Sequence, residues 1–267
     1  MSLVDHPAFG RVTEHLERLG AGAFVLYKTP CLERRLASRI RARRQHGLAE
    51  YAALLDSDAG ERDRLVRALS IGVTSFFRNP TAWRRLAELL EEREPASGLR
   101  GWSAGCASGE EAWSLAMVLS DRALAGSGDP TAFRVDATDL DPAGLALGQQ
   151  GEYPGHLAAP LRLAGDLRHG RLVGDRFLVE PALRGRVHFR RDDLTESRMR
   201  GPYDVVTCRN VLIYFGDEGQ SRALAALVRS LAPGGLLMLG RAELAARSVA
   251  EELEIVDSRE RIYRRGG

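Results

Sequence analysis

At 267 residues, with 44% hydrophobic and 28% charged side chains, the chain has the make-up of an ordinary soluble globular protein, and disordered, fibrous and membrane-spanning classes do not fit. Its formal net charge of +2 gives no general field for nucleic acid. The N-terminus, MSLVDHPAFGRVTEHLERLG, lacks the apolar run of an export signal, and no apolar stretch, Leu236 to Gly240 included, is long enough to span a bilayer. A cytoplasmic protein without membrane insertion is expected. Three cysteines, Cys31, Cys106 and Cys208, are an odd number without CxxC spacing; buried reduced thiols are expected, and no disulfide framework or metal site.

Residues 1–93 read as helices, over Val12 to Leu19, Leu32 to Arg44, Leu48 to Leu55, Glu61 to Ser70 and Pro80 to Arg93, with no clear strand. In the second, Leu32, Leu36 and Ile40 recur every four residues as a packing stripe, while Arg35, Arg39 and Arg43 recur on another face. Between Lys28 and His46 seven basic side chains stand against the single acid Glu33. Lys28 is the only lysine of the chain, so arginine carries the charge throughout. The breaker EPASG, residues 94–98, marks the expected boundary between a helical domain of residues 1–93 and a second domain of residues 94–267.

Beyond it, strands alternate with helices: strand Leu99 to Ser103, helix Gly109 to Leu124, strand Phe133 to Thr138, helix Pro142 to Gln149. Strands Val187 to Arg190 and Tyr203 to Cys208, helix Asp217 to Leu231 and strand Leu236 to Gly240 continue the pattern. This βαβ alternation predicts a largely parallel, doubly wound sheet, closed by an antiparallel pair at Leu253 to Val256 and Arg261 to Tyr263. The irregular stretch from 151 to 186 contains RLVGDRFLVEP, a hairpin around Gly174-Asp175, and reads as a small inserted β-subdomain.

The first strand runs into the small-residue turn of Trp102 to Ala112, WSAGCASGEEA, which is how such a sheet brings backbone close to a nucleotide-like ligand. Glu110 and Glu111 open the following helix. Carboxylates there suit the helix dipole and a cationic ligand but repel a pyrophosphate, which disfavours a dinucleotide and favours S-adenosylmethionine (SAM), with its ammonium and sulfonium. Asp139 ends the second strand, where an acid can accept hydrogen bonds from two ribose hydroxyls, and Asp141 is the expected cap of the helix at Pro142. At the third strand Asp192-Asp193-Leu194 can present a carboxylate to an adenine amino group, with Leu194 packing near the base. After the fourth strand Arg209 and Asn210 stand between apolar runs, where open α/β sheets bind ligands, and Tyr214 follows one turn later.

These segments, read with GVTSFFRNP at Gly72 to Pro80, resemble the CheR family of bacterial chemotaxis receptor methyltransferases. The resemblance rests on Thr74 to Arg78, WSAGCASGEE, Ala137 to Asp141, Cys208 to Phe215 and Ala232 to Gly235, in that order along nearly the whole chain. It implies a helical N-terminal domain, a Rossmann-like α/β SAM domain and an inserted β-subdomain. It implies SAM contacts at Thr74, Arg78, Glu110, Asp139, Asp193, Arg209 and Asn210, with Arg78 and Tyr214 nearest the transferred methyl, and S-adenosylhomocysteine (AdoHcy) as product. It further implies chemoreceptor glutamates as methyl acceptors, for which the Arg35, Arg39 and Arg43 face is the expected steering surface. Two positions depart from the family pattern: Gly72 replaces an asparagine, and Arg241-Ala242 stand where the family has His-Ser before Glu243.

Carboxylate methylation needs no strong base, because the acceptor is already ionised near neutral pH; positioning and electrostatics should carry it. Arg78 suits orientation of the acceptor and Tyr214 a hydrogen bond near the methyl. Two other functions fit the same motifs: a SAM methyltransferase for a different acceptor, and a SAM-sensing scaffold of a chemosensory pathway. A nucleic-acid methyltransferase is disfavoured by the absence of an Asn-Pro-Pro-Tyr motif and the small net charge. A monomer is expected.

Overall fold

The computed structural model describes residues 2–70, 72, 74–92, 98–163, 168–245 and 247–267. The predicted breaker at 94–98 therefore falls, Gly98 excepted, outside the described residues. Four helices open the chain: α1 (Phe9–Arg18), α2 (Thr29–Ala42), α3 (Leu48–Ser57) and α4 (Ala59–Leu69), with a 3-10 turn at Gly22–Leu26. They share one apolar cluster that includes Val12, Leu16, Leu32, Leu36, Ile40, Tyr51, Leu55 and Leu65. The stripe read from α2 is thus its buried face. Asp58 caps α4 by accepting the Glu61 N–H at 2.9 Å.

The fifth helix, α5 (Pro80–Glu91), belongs elsewhere. Its Trp83, Leu86, Leu89 and Leu90 bury with Leu115 and Leu119 of α6 (Glu110–Ser127) in the cluster that covers one face of the sheet. The apolar cores therefore divide near residue 70 rather than at 93. Helical periodicity shows that a segment has an apolar stripe, not which core receives it. Truncating Trp83 to Ala would open a void in the α/β core at a cost of about 3–5 kcal/mol.

The seven-stranded sheet has the order β6 (Val187–Arg191), β2 (Phe133–Asp139), β1 (Leu99–Ala104), β7 (Tyr203–Cys208), β8 (Leu231–Leu239), β10 (Ile262–Arg265), β9 (Leu253–Asp257). The first five are parallel, and β10 runs antiparallel to both β8 and β9. Strand order reverses at β1, which sets the ligand crevice at its carboxyl end. Helices α7 (Pro142–Gln150) and α10 (Asp217–Ser230) connect strands. Between α7 and β6, strands β3 (Glu152–Pro154), β4 (Gly170–Val173) and β5 (Arg176–Val179) form a separate antiparallel sheet, with short helices α8 (Ala159–Leu163) and α9 (Pro181–Arg184). Its Phe177 is fully buried, edge-on to Phe76 at 5.4 Å. No helix among the described residues is long and apolar enough to cross a membrane. Cys31, Cys106 and Cys208 are buried free thiols.

Candidate active site

Three recesses join into one cleft along the carboxyl ends of β1, β2 and β7. One is lined by Phe24, Tyr27, Leu140, Asp192, Leu194 and Phe215, with Gly105, Asp139, Asn210 and Tyr214. The second, continuous with it through Asp139 and Ser70, runs past Ala107 and Gly72 to α7. The third, a cavity of about 270 Å³, is lined by Thr74, Ser75, Arg78, Glu111, Arg209, Asn210 and Tyr214.

The loop after β1 takes the shape that its small residues allow. Gly105 has φ +75°, and a Cβ built on it would lie 2.5 Å from Val211 Cγ2; only glycine lets the two loops approach so closely. Ala107 is also left-handed, with φ 50°, and its N–H donates to Asp139 Oδ2 at 2.9 Å. Asp139 Oδ1 accepts the Asp141 N–H at 2.9 Å. The aspartate thus holds the loop while keeping one further lone pair on each oxygen for a ligand. Burial raises its pKa, against backbone hydrogen bonds that pull it down. Asp141 caps α7 through the Ala143 N–H at 3.0 Å, as its position before Pro142 predicts.

The two glutamates at the start of α6 separate in role. Glu110 is buried, accepts the Ser108 hydroxyl at 2.7 Å and does not line the recesses described above. Glu111 does: it accepts hydrogen bonds from Ser103 at 3.1 Å and Thr207 at 2.8 Å and faces Arg209 at 3.9 Å. Burial raises the pKa of both. Arg209 donates to the Arg78 carbonyl at 2.8 Å and to Asn79 Oδ1 at 2.9 Å, lies over the Trp83 ring at 5.5 Å, and leaves its buried Nε without a partner. Burial lowers its pKa. Thr74, Arg78, Arg209, Asn210 and Tyr214 are therefore brought together, and Glu111 joins them where the sequence reading named Glu110.

The end of β6 carries a similar one-residue offset. Asp193 accepts the Ala23 N–H at 2.8 Å and the Thr195 N–H and hydroxyl at 2.9 and 2.7 Å; it ties two chain segments together. Its neighbour Asp192 lines the recess beside Leu194, and Asp192 Oδ2 is buried with no hydrogen-bond partner. Burial raises the Asp192 pKa. Tyr27, also unforeseen, stacks on Tyr214 with ring centroids 6.1 Å apart. The surrounding backbone is paired: Lys28 N–H donates to the Tyr214 carbonyl at 2.8 Å and Gly216 N–H to the Leu26 carbonyl at 2.9 Å.

Both departures from the family pattern have a place. A Cβ on Gly72 would meet nothing within 4 Å, so the asparagine position is open space beside the second recess. Arg241 grips Glu260 with Nε at 3.0 Å and Nη2 at 2.6 Å, and reaches Thr81 at 2.7 Å. It braces the start of α5, three residues beyond Arg78.

The expected steering face of α2 is corrected by its packing. Arg39 is bonded to fully buried Glu61 at 2.6–3.0 Å, Arg43 reaches Asp58 at 3.1 Å, and Arg35 donates to the Ala68 carbonyl at 2.6 Å. These three guanidiniums join α2 to α4, because that face lies against a helix which supplies the acids. The cations of the segment that remain exposed include Lys28, Arg34 and Arg41.

The donor set of the cleft fits one class of ligand. Asp139 suits a ribose diol, the orphaned Asp192 oxygen an amino group, Leu140 and Leu194 the faces of a base, and a far end lined by Glu111, Arg78 and Arg209 a tail that carries both an ammonium and a carboxylate. What this defines is a methyltransferase that takes its methyl from SAM.

The model for the all-alpha domain of CheR methyltransferases matches residues 7–70, and that for their SAM-binding domain residues 72–262. The chain belongs to the CheR methyltransferase family. It is 36% identical to a chemotaxis protein methyltransferase of Listeria monocytogenes, over 82% of this chain and 82% of that protein. Chemotaxis protein methyltransferase 2 of Pseudomonas aeruginosa is also 36% identical, over 88% of this chain and 85% of its own length. A 104.1 kDa protein of Rhodobacter capsulatus is 35% identical over 96% of this chain, which spans only 27% of that larger protein.

Proposed function

We propose that the protein methylates glutamate side chains on the cytoplasmic segments of chemoreceptor-type proteins. The observation that carries this is the meeting of Arg78 and Tyr214 in one recess with Gly105, Ala107 and Asn210. The names of the Listeria and Pseudomonas relatives support a chemosensory setting, as does a Pseudomonas putida relative described as a probable biofilm formation methyltransferase.

SAM supplies, when bound, an electrophilic methyl on a sulfonium. The chain's own work is positional. Arg78 orients the acceptor carboxylate, which arrives ionised and needs no base. The Tyr214 hydroxyl offers a hydrogen bond beside the methyl, and Asp139 with Asp192 holds the nucleoside end. Arg209, held between Arg78 and Asn79 on one side and Glu111 on the other, keeps the far end of the cleft in register. An acidic acceptor helix would meet the exposed cations Lys28, Arg34 and Arg41 on its approach.

The test is methyl transfer from labelled SAM to receptor cytoplasmic fragments, with alkali lability of the label as the mark of a carboxyl ester. Transfer that yields an alkali-labile product supports the proposal. An alkali-stable product would move the acceptor to another chemistry, and AdoHcy binding without transfer would favour a SAM-sensing scaffold.

A further inference from the structure

Glu243 lies in the loop after β8, 3% exposed. Its Oε2 accepts the N–H groups of Gly240 at 2.6 Å and Asn210 at 2.9 Å. Its Oε1 accepts those of Val211 at 2.8 Å, Leu212 at 2.7 Å and Ile213 at 3.3 Å. Five peptide N–H groups thus converge on one carboxylate, four of them consecutive in the loop that follows β7. Such a concave run of N–H groups is an anion-binding nest, and here the anion is a side chain of the protein itself. The packing leaves no slack: a Cβ on Gly240 would stand 2.6 Å from Glu243 Oε2 and 2.9 Å from the Asn210 nitrogen.

The loop so held is the one that furnishes Asn210, Val211, Ile213 and Tyr214 to the cavity that also contains Arg78. Asn210 sits in the left-handed region with φ 61°, and Leu212–Tyr214 form a tight 3-10 turn. Neither shape is the default of these residue types. Hydrogen bonds within the turn do not explain why it faces the cleft; the carboxylate behind it does.

We infer that Glu243 is a positioning residue of the transfer site: by gathering the N–H groups of residues 210–213 it fixes Asn210 and Tyr214 before any ligand arrives. The inference rests on reading this cleft as the methyl-transfer site. It assigns the Gly240-x-x-Glu243 segment a part in turnover although Glu243 is not among the residues that line the cavity.

Glu243→Gln is the direct test, since its amide NH₂ opposes the N–H donors that the carboxylate accepts. AdoHcy binding should weaken tenfold or more, and turnover should fall further than any change in acceptor KM accounts for. Because Glu243 acts through Tyr214, the Glu243→Gln/Tyr214→Phe double variant should be little slower than the slower single variant; additive losses would overturn the inference. Glu243→Asp, with its charge kept and its reach shortened, should recover part of the loss.

Asp136→Asn removes another buried carboxylate, which on β2 accepts the Tyr203 hydroxyl and Arg190. It should lower Tm with AdoHcy affinity within twofold of wild type. An equal loss of affinity in both variants would reduce Glu243 to a structural role. If Glu243→Gln does not fold, hydrogen exchange on the wild-type chain decides: the amides of 210–213 should be protected without ligand, and fast exchange there would overturn the inference. Should the wild type bind AdoHcy yet methylate no receptor glutamate, the proposed acceptor falls, while affinity and exchange still judge Glu243.

Discussion

Two arginine–glutamate pairs in this molecule look alike in the sequence and differ in kind. Between α2 and α4, Arg39 meets Glu61 at 2.6–3.0 Å with both oxygens engaged, and Glu61 also accepts the Tyr51 hydroxyl at 2.8 Å. Burial opposes the charge on Arg39, but the Glu61 bonds outweigh it and its pKa rises. In the cleft, Arg209 stands 3.9 Å from Glu111, its Nε lacks a partner, and burial moves both pKa values toward the neutral forms. A saturated pair is architecture. A looser pair that lines a cavity can take a ligand as a further partner.

The contrast breaks most visibly at the saturated pair. Glu61→Gln, which leaves Arg39 without its countercharge, should cost about 3–5 kcal/mol of stability in denaturant melts, with AdoHcy affinity unchanged under folding conditions; a loss below about 1 kcal/mol would erase the distinction. On the other side, Arg78→Ala and Tyr214→Phe should melt near wild type and lose turnover by about 10²–10³-fold, or ~3–4 kcal/mol. Wild-type rates in both would remove the transfer site from this cavity.

Asp139→Ala should weaken AdoHcy binding by about 1–3 kcal/mol, read by calorimetry. Its raised pKa gives a pH signature with two opposite slopes. The folded, ligand-free protein holds this proton more tightly than the unfolded chain, so acidification through the raised pKa adds stability through Asp139. The protonated carboxyl is a poorer acceptor for two ribose hydroxyls, so AdoHcy affinity should fall over the same interval, starting above the ordinary aspartate range. Affinity that stays flat down to the normal aspartate pKa would show that Asp139 does not carry the diol. The smallest effect is expected at the rim: Arg34→Glu with Arg41→Glu should change stability by less than about 0.5 kcal/mol and raise the acceptor KM several-fold at low salt, with the difference vanishing at high salt.

Much of this arrangement was legible in the sequence, and the exceptions share a cause. The βαβ alternation, the small-residue turn after β1 and the acid at the end of β2 are local signals, and each lies where it was expected. Glu110 against Glu111, in the first turn of α6, and Asp193 against Asp192, just past β6, are one-residue choices: successive helix side chains diverge by about 100°, and in each pair one neighbour lines the cleft while the other bonds within the fold. The Arg35, Arg39 and Arg43 face was found correctly as a face, but periodicity does not reveal that α4 lies against it with Asp58 and Glu61. Helix α5 reads as helical yet says nothing of which core it joins. Glu243 enters the sequence only as the residue after the Arg241-Ala242 departure; the five N–H groups it collects come from two separate segments, Gly240 and residues 210–213, and no local pattern announces such a meeting.

The bond from Ala23 to Asp193 and the stacking of Tyr27 on Tyr214 place part of the helical domain directly over the nucleoside end of the cleft. A nucleoside seated there would be bordered by Phe24 and Tyr27 of the helical domain as well as by Asp192 and Leu194 of the sheet.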